Sequence, residues 1–275
     1  MSFVDANGVR LHMQSMGPNR SADAEPPVFL LHGLLLGNLV GWYFTLAPAL
    51  AKSRRVLMHD LRGHGKSEAP PEGYDLDTMA ADLGGLIDHF EPDGRPVDLV
   101  GHSWGALVAM TYALYHPNRV RRLVVIEAPL PPSNFEEMQS FMSLSPKEMM
   151  EKLPNTSARN LISGGRQALR LLSNLVRLVR KTSCVADFKN ARDIPDALLA
   201  CLGRPVLALY GNRSPCRGIG DRLARVLPQC RLRELAGGHN LHMEATQALI
   251  DEITEFFDDG MEHPRIEPAC AVSGR

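Results

Sequence analysis

The sequence predicts an α/β protein: a doubly wound, mostly parallel sheet with an inserted helical cap. Three observations carry this. Short apolar runs alternate with helix-length segments along most of the chain, and such alternation is expected of parallel strands, each of which needs a crossover to reach the next. Several runs, among them PVFLLHG (27–33) and PVDLVGHS (96–103), are almost continuously apolar, as strands covered on both faces must be. From about residue 130 to 195 the alternation stops and only helical patterning remains.

The elements follow in order. VRLHMQSMG (9–17) alternates apolar and polar residues, the period of a half-buried strand, and Asn7-Gly8 suits a tight turn back to Phe3-Val4-Asp5. Further strands are expected over 27–33, 54–60 (RRVLMHD), 96–103, 121–129 (RRLVVIEAP), 204–211 (RPVLALYG) and 230–237 (CRLRELAG). Helical patterns occupy 76–90, 104–115, 220–227 and 244–257. Pro131-Pro132, Pro146, Pro154 and Gly164-Gly165 interrupt the insertion, because proline lacks the N–H that a helix interior needs. The organisation that results is a core over 1–129 and 196–257, a helical cap over 130–195, and a frayed tail over 258–275.

Composition narrows the function. The 275 residues carry 30 basic and 31 acidic side chains, a formal net charge of −1. A dedicated nucleic-acid binder would show a basic excess. The five cysteines (Cys184, Cys201, Cys216, Cys230, Cys270) are scattered and without metal-ligand spacing, so they read as free thiols in a reducing compartment. No basic start followed by an apolar run marks a secretory signal, and no stretch has the ~18 continuous apolar residues of a membrane span. A soluble cytoplasmic protein is the expectation.

One junction carries chemistry. VGHSWGA (100–106) places Ser103 where a strand pattern turns into a helix pattern, in the arrangement G-x-S-x-G. Functional groups of open parallel sheets collect at the carboxyl ends of strands. Gly101 and Gly105 tolerate crowding that a Cβ forbids, so the turn is sharp enough to raise the Ser103 hydroxyl off the sheet edge. The helix behind it offers unpaired N–H groups and the positive end of its dipole. A serine hydroxyl is a weak nucleophile without a base. His239, in LAGGHNLHMEATQALIDEITEFF, stands on a glycine-rich loop between the last strand and the last helix and is the candidate base. His242, nearer the helix start, is read as a neighbour or surface residue.

With these residues the chain resembles the α/β-hydrolase superfamily over about Phe3 to Phe257. LLHG (30–33) and HDLRGHGKS (59–67) add to the resemblance. It implies the α/β-hydrolase fold, His239 as catalytic histidine, and an oxyanion hole formed by the backbone N–H groups of Leu34 and Trp104. Fixed donors matter there, since losing one typically costs about 10²- to 10³-fold in rate. His32 would shape the oxyanion loop, and His59, His64 and His102 would be structural.

The acid departs from the commonest pattern. Many relatives carry it after the strand matched by RPVLALYG, where this chain reads Gly211-Asn212-Arg213-Ser214. Ser214 cannot hold a fixed negative charge. Glu127, which ends the strand after the one bearing Ser103, is the alternative, at the position where haloalkane dehalogenases and some epoxide hydrolases place theirs. A glutamate following an apolar strand needs a partner, because a buried unpaired charge is costly. Asp221, on a helix, and Asp187, in the cap, are weaker alternatives. The likeness to that branch does not extend to its activities. Its nucleophile is an aspartate, whereas serine attack on a halide or epoxide would leave a stable ether, and residues 130–195 contain no tyrosine.

The expected function is therefore a serine hydrolase of an ester or thioester of a medium-sized apolar acyl group, with no cofactor or metal implied. An acyl-transferring cyclase on the same triad and a non-catalytic receptor of this fold are the alternatives. Leu169, Leu172, Val176 and Val179 form a helical stripe, read as packing of the cap onto the core. Met138, Phe141, Met142, Met149 and Met150 could line a pliable apolar pocket or fill the core. Arg166, Arg170, Arg177, Arg180 and Lys181 are read as a solvated face, with an acyl carrier protein as the sharper expectation for a partner.

Overall fold

The structure is a computed structural model that describes residues 2–19, 25–132, 135–152 and 166–259. The strands are β1 (Ser2–Ala6), β2 (Val9–Met16), β3 (Glu25–Leu31), β4 (Arg54–His59), β5 (Val97–His102), β6 (Val120–Ile126), β7 (Val206–Gly211) and β8 (Cys230–Leu235). They form one sheet in the order β1-β2-β4-β3-β5-β6-β7-β8. β1 and β2 are an antiparallel hairpin, β2 pairs antiparallel with β4, and the pairs from β4 to β8 are parallel.

The helices are α1 (Val40–Tyr43), α2 (Leu46–Leu50), α3 (Leu76–Phe90), α4 (Trp104–Tyr115), α5 (Glu136–Ser143), α6 (Pro146–Lys152), α7 (Arg166–Lys181), α8 (Cys184–Asn190), α9 (Asp196–Leu199), α10 (Arg217–Val226), α11 (Leu241–Glu244) and α12 (Thr246–Asp258). The sequence pattern missed α1, α2, α9 and α11, began α10 late, and began α12 two residues early. Short helices escape a 3.6-residue periodicity because they hold barely one turn.

Alternation along the strands sends side chains to two cores. Phe29, Leu57, Leu99, Leu123 and Ala208 face one, with α3 and α4. Leu30, Met58, Val100, Val124 and Leu209 face the other, with Trp42, Leu46, Ile253 and Phe256. α4 is buried from Trp104 to Leu114, which explains its lack of a polar stripe: a helix covered all round is apolar all round. The buried Arg122 donates to the carbonyls of Phe256 and Phe257 at 2.7 and 2.6 Å, serving carbonyls that the end of α12 leaves without partners.

α5 to α9 lie between β6 and β7 in the chain. On α7 the described buried positions are Leu175, Leu178 and Val179; of the expected stripe of Leu169, Leu172, Val176 and Val179, Leu172 and Val176 are only half-buried. Apolar residues at 171, 172, 175, 176, 178 and 179 satisfy two helical stripes, and the contact with the 62–65 loop selects one. Asn174 donates to the carbonyl of Gly65 at 3.1 Å there. The side chains of Leu169, Met150, Arg166 and Arg170 lie outside what the structure describes, as do residues Pro154, Gly164-Gly165 and 260–275. Met142 and Met149 belong to the core, and Met138 and Phe141 pack against that core. Arg177, Arg180 and Lys181 are exposed. Cys184, Cys216 and Cys230 are free thiols, but Cys201 is disulfide-bonded. The expectation of five free thiols is corrected there, since spacing along the chain does not report which thiols approach in space. Among the described residues no helix is long and apolar enough to cross a membrane.

Candidate active site

The strand order reverses between β3 and β5, and the crevice at such a switch point is where parallel sheets place ligands. β5 ends at His102, and Ser103 follows with φ 53° and ψ −120°. The flanking glycines are sterically required. A Cβ on Gly101 would sit 2.4 Å from the carbonyl oxygen of Gly105, and one on Gly105 would sit 2.5 Å from that of His32. Backbone conformations of this kind cost roughly 1–3 kcal/mol and cluster at functional positions. Leu35 (φ 67°) and Glu127 (φ 55°) share the property, and both lie in the same region.

His239 comes from the loop between β8 and α11. Its Nε2 stands 3.0 Å from Ser103 Oγ and its Nδ1 3.2 Å from Glu127 Oε2. The carboxylate can only accept, so Nδ1 carries the proton and Nε2 offers its lone pair to the Ser103 hydroxyl.

Glu127 is the first residue after β6 and is fully buried. Its N–H donates to the Leu209 carbonyl at 3.0 Å. The Gly211 N–H donates to Oε1, and the Ser214 hydroxyl donates to Oε2. With His239 these are the donors that make a water-excluded carboxylate tolerable. The position that resemblance assigns to the acid is therefore present in space, filled by a hydroxyl that serves the displaced carboxylate.

β3 lies beside β5 with Leu31 opposite Gly101, so the turn after β3 falls against the nucleophile. A Cβ on Gly33 would be 3.2 Å from that of Ser103. Leu34, the next residue, is buried. Trp104 opens α4, and a first-turn N–H has no intrahelical acceptor. The loop bearing Leu34 is pinned by imidazoles. The Leu35 N–H donates to His64 Nε2 at 2.9 Å and the Leu61 N–H to His32 Nε2 at 3.0 Å, while His64 Nδ1 donates to the Arg62 carbonyl and His32 Nδ1 to that of Gly33, both at 2.8 Å. One donor and one acceptor per ring require neutral imidazole. Burial supplies it, lowering His64 to about 4 and His32 well below its usual value. Asp60 accepts from the N–H groups of Leu39 and Lys66 at 2.9 Å. The HDLRGHGKS signature is thus a scaffold for the loop that carries Leu34.

Three residues to which pattern reasoning gave no role at Ser103 complete the site. His102 donates from Nε2 to the His239 carbonyl at 2.8 Å, tying the His239 loop to the residue before Ser103. Phe135 packs on the His239 ring with centroids 4.8 Å apart. Cys216 lies behind that ring, its Sγ 3.9 Å from Nδ1. Burial and the nearby Glu127 push its thiol up to about 12. The Ser214 link was legible in principle, because a hydroxyl replacing a carboxylate signals that the charge sits elsewhere.

The other candidates are elsewhere. His242 packs against His102 and Trp42, with centroids 4.7 and 5.5 Å apart, and burial lowers it to about 4. Asp187 accepts from the Tyr74 N–H at 2.9 Å and from the Ser183 hydroxyl, and Asp221 is exposed on α10. The Trp104 ring donates to Met79 Sδ at 3.1 Å and lies 5.5 Å from the Phe188 ring. A cavity of about 330 Å³ beside Asp75, Tyr115 and Asp193 is separate from Ser103. Its acids are engaged: Asp75 caps α3 and Asp193 holds Arg222.

A family profile described as "alpha/beta hydrolase fold" matches residues 26–169. The chain belongs to the α/β-hydrolase family. Among its relatives, sn-1-specific diacylglycerol lipase ABHD11 of Mus musculus is 30% identical over 254 residues, which are 84% of this chain and 80% of that protein. Soluble epoxide hydrolase of Corynebacterium sp. (strain C12) is 37% identical over 123 residues, 44% of this chain and 39% of that one. The chain thus matches well under half the length of this epoxide hydrolase. Among solved α/β-hydrolases, the enol-lactonase from Burkholderia xenovorans LB400 superposes with a TM-score of 0.72 at 21% identity, covering 93% of this chain and 99% of its own. That likeness is one of fold.

Proposed function

We propose that the protein is a serine hydrolase that cleaves an ester or thioester of a medium-sized apolar acyl group through an acyl-enzyme on Ser103. The observation that carries the reading is the imidazole of His239 spanning Ser103 Oγ at 3.0 Å and Glu127 Oε2 at 3.2 Å. The lipase relative, whose alignment runs over most of both chains, supports acyl chemistry. The serine at the nucleophile position argues against epoxide opening, since no hydrolysable ester would form.

In the cycle, the Ser103 proton passes to His239 Nε2 as Oγ bonds to the substrate carbonyl carbon. The oxygen that becomes negative is stabilised by the N–H groups of Leu34 and Trp104, which need no reorganisation as charge develops. His239 returns the proton to the leaving oxygen or sulfur, and the C–O or C–S bond breaks. Water, deprotonated by the same nitrogen, then releases the acid and restores Ser103. Glu127 holds the ring in the required tautomer and supports its positive charge. The helices between β6 and β7 act as the cap, with Phe135 over the histidine.

The experiment is hydrolysis of p-nitrophenyl esters of graded chain length by wild type and Ser103→Ala, with a fluorophosphonate label applied to both. Turnover and labelling that vanish together in the variant are expected. A variant as active as wild type would end the proposal.

A further inference from the structure

The hydrolytic cycle leaves a buried thiol beside His239 without a task. Cys216 is 3% exposed, and its Sγ, Nδ1 of His239 and a carboxylate oxygen of Glu127 all fall within 4.8 Å of one another. The spacings are 3.2 Å from Nδ1 to Oε2 and 3.9 Å from Nδ1 to Sγ. The backbone holds the thiol in place, because the Cys216 N–H donates at 3.0 Å to the Ser214 hydroxyl, which itself contacts Glu127. The three groups arrive from three separate segments, after β6, before α10 and before α11.

We propose that Cys216, His239 and Glu127 form an inhibitory site for a thiophilic divalent cation such as Zn²⁺, on the face of the histidine opposite Ser103. The proposal rests on the triad reading above for its inhibitory part. Zn²⁺ takes sulfur, imidazole nitrogen and carboxylate oxygen at about 2.0–2.3 Å in tetrahedral geometry, which sets ligand atoms about 3.4–3.6 Å apart. Nδ1 and Oε2 already stand near that spacing, and a swing of the Cys216 thiol brings in the third ligand. Charge favours the ion as well. A thiolate and a carboxylate neutralise a dication, so the loaded site is electroneutral, and a buried net charge is what such a region resists.

The consequence for catalysis follows from proton placement. On binding, the thiol releases its proton to solvent and Nδ1 bonds to the metal. The ring stays neutral, so its proton moves from Nδ1 to Nε2. Nε2–H then faces Ser103 Oγ and has no lone pair to accept the hydroxyl proton. Glu127, drawn to the metal, no longer supports an imidazolium. The cation switches the enzyme off without touching the substrate pocket.

The test uses the full chain stripped with a chelator, as wild type, Ser103→Ala and Cys216→Ser. Zn²⁺ is titrated against a chromophoric chelator, and Co²⁺ against the thiolate-to-cobalt charge-transfer band. Wild type and Ser103→Ala should bind one equivalent, with Cys216→Ser weaker by about tenfold or more. Inhibition by Zn²⁺, each rate taken relative to the same variant's metal-free rate, should shift by the same factor. Equal affinity in Cys216→Ser overturns the site, as does a Co²⁺ spectrum of wild type without the thiolate band, which decides the matter even where Cys216→Ser fails to fold. Cys216-dependent binding to a protein that hydrolyses nothing when metal-free would uphold the site and remove the hydrolytic reading instead.

Discussion

Ser214 donates its hydroxyl to Oε2 of Glu127, the same carboxylate oxygen that faces Nδ1 of His239. The serine stands where the resemblance would put the acid, and the contacts divide the parts: the residue after β6 brings the carboxylate and the turn after β7 brings a donor to it.

This division ranks two substitutions. Glu127→Gln keeps the shape but loses the charge that sustains the imidazolium, and kcat/KM should fall about 10³- to 10⁴-fold. Ser214→Ala removes one hydrogen bond to a charged group, worth about 1.5–3 kcal/mol, so a loss of roughly ten- to a hundredfold is expected. Steady-state kinetics on a p-nitrophenyl ester checks the order, and a larger loss in Ser214→Ala would move the acid's role away from Glu127.

Restoring a carboxylate at 214 should have opposite effects in two backgrounds. In wild type, Ser214→Asp crowds a second carboxylate against Glu127 and raises the pKa of one of them, so activity near neutral pH should drop. In Glu127→Gln the same change supplies the missing charge, and kcat should recover at least about tenfold. Equal loss in both backgrounds would mean that residue 214 cannot address His239.

His102 acts on the base through its backbone. Its Nε2 hydrogen bond to the His239 carbonyl fixes the ring's height above Ser103, and His102→Ala should lower kcat about tenfold with KM little changed. His102→Gln, which can still donate, should recover part of the loss. A rise in KM alone would place His102 in substrate binding instead.

Acid should destabilise the fold through its buried imidazoles. His59 and His64 are each lowered from 6.5 to about 4, chiefly by burial. Their unfolded forms take protons first as pH falls, so each contribution is complete above about pH 6.5 and is lost as pH drops toward 4. Linkage gives about 2 kcal/mol per histidine between pH 7 and pH 5. His59 Nδ1 has no hydrogen-bond partner, so His59→Leu should shrink the difference between urea unfolding free energies at the two pH values by about that amount. An unchanged difference would refute the assignment.

Much of this was legible in the sequence. α3 and α4 fall on the expected residues, because long patterned segments between clear breaks leave little choice. Ser103 could be named from its strand-to-helix junction and His239 from its glycine-rich loop, and Glu127 from its place at the end of an apolar strand together with the resemblance to the dehalogenase branch. What stayed hidden depends on the third dimension. The α7 stripe could be read two ways until the 62–65 loop selected one. The Ser214 and His102 bonds join residues distant in the chain, and periodicity is blind to such pairs. Cys216 looked like any scattered thiol, for its meaning lies in standing beside a ring contributed by another loop.

The positive φ angles of Leu35, Ser103 and Glu127 set durability against turnover. At roughly 1–3 kcal/mol each, they consume a sizeable share of the ~5–15 kcal/mol that separates an ordinary domain from its unfolded chain. Ser103→Gly, which relaxes the tightest of these bends and deletes the nucleophile, should therefore melt later than the working enzyme, and heating both would show the crippled protein to be the hardier.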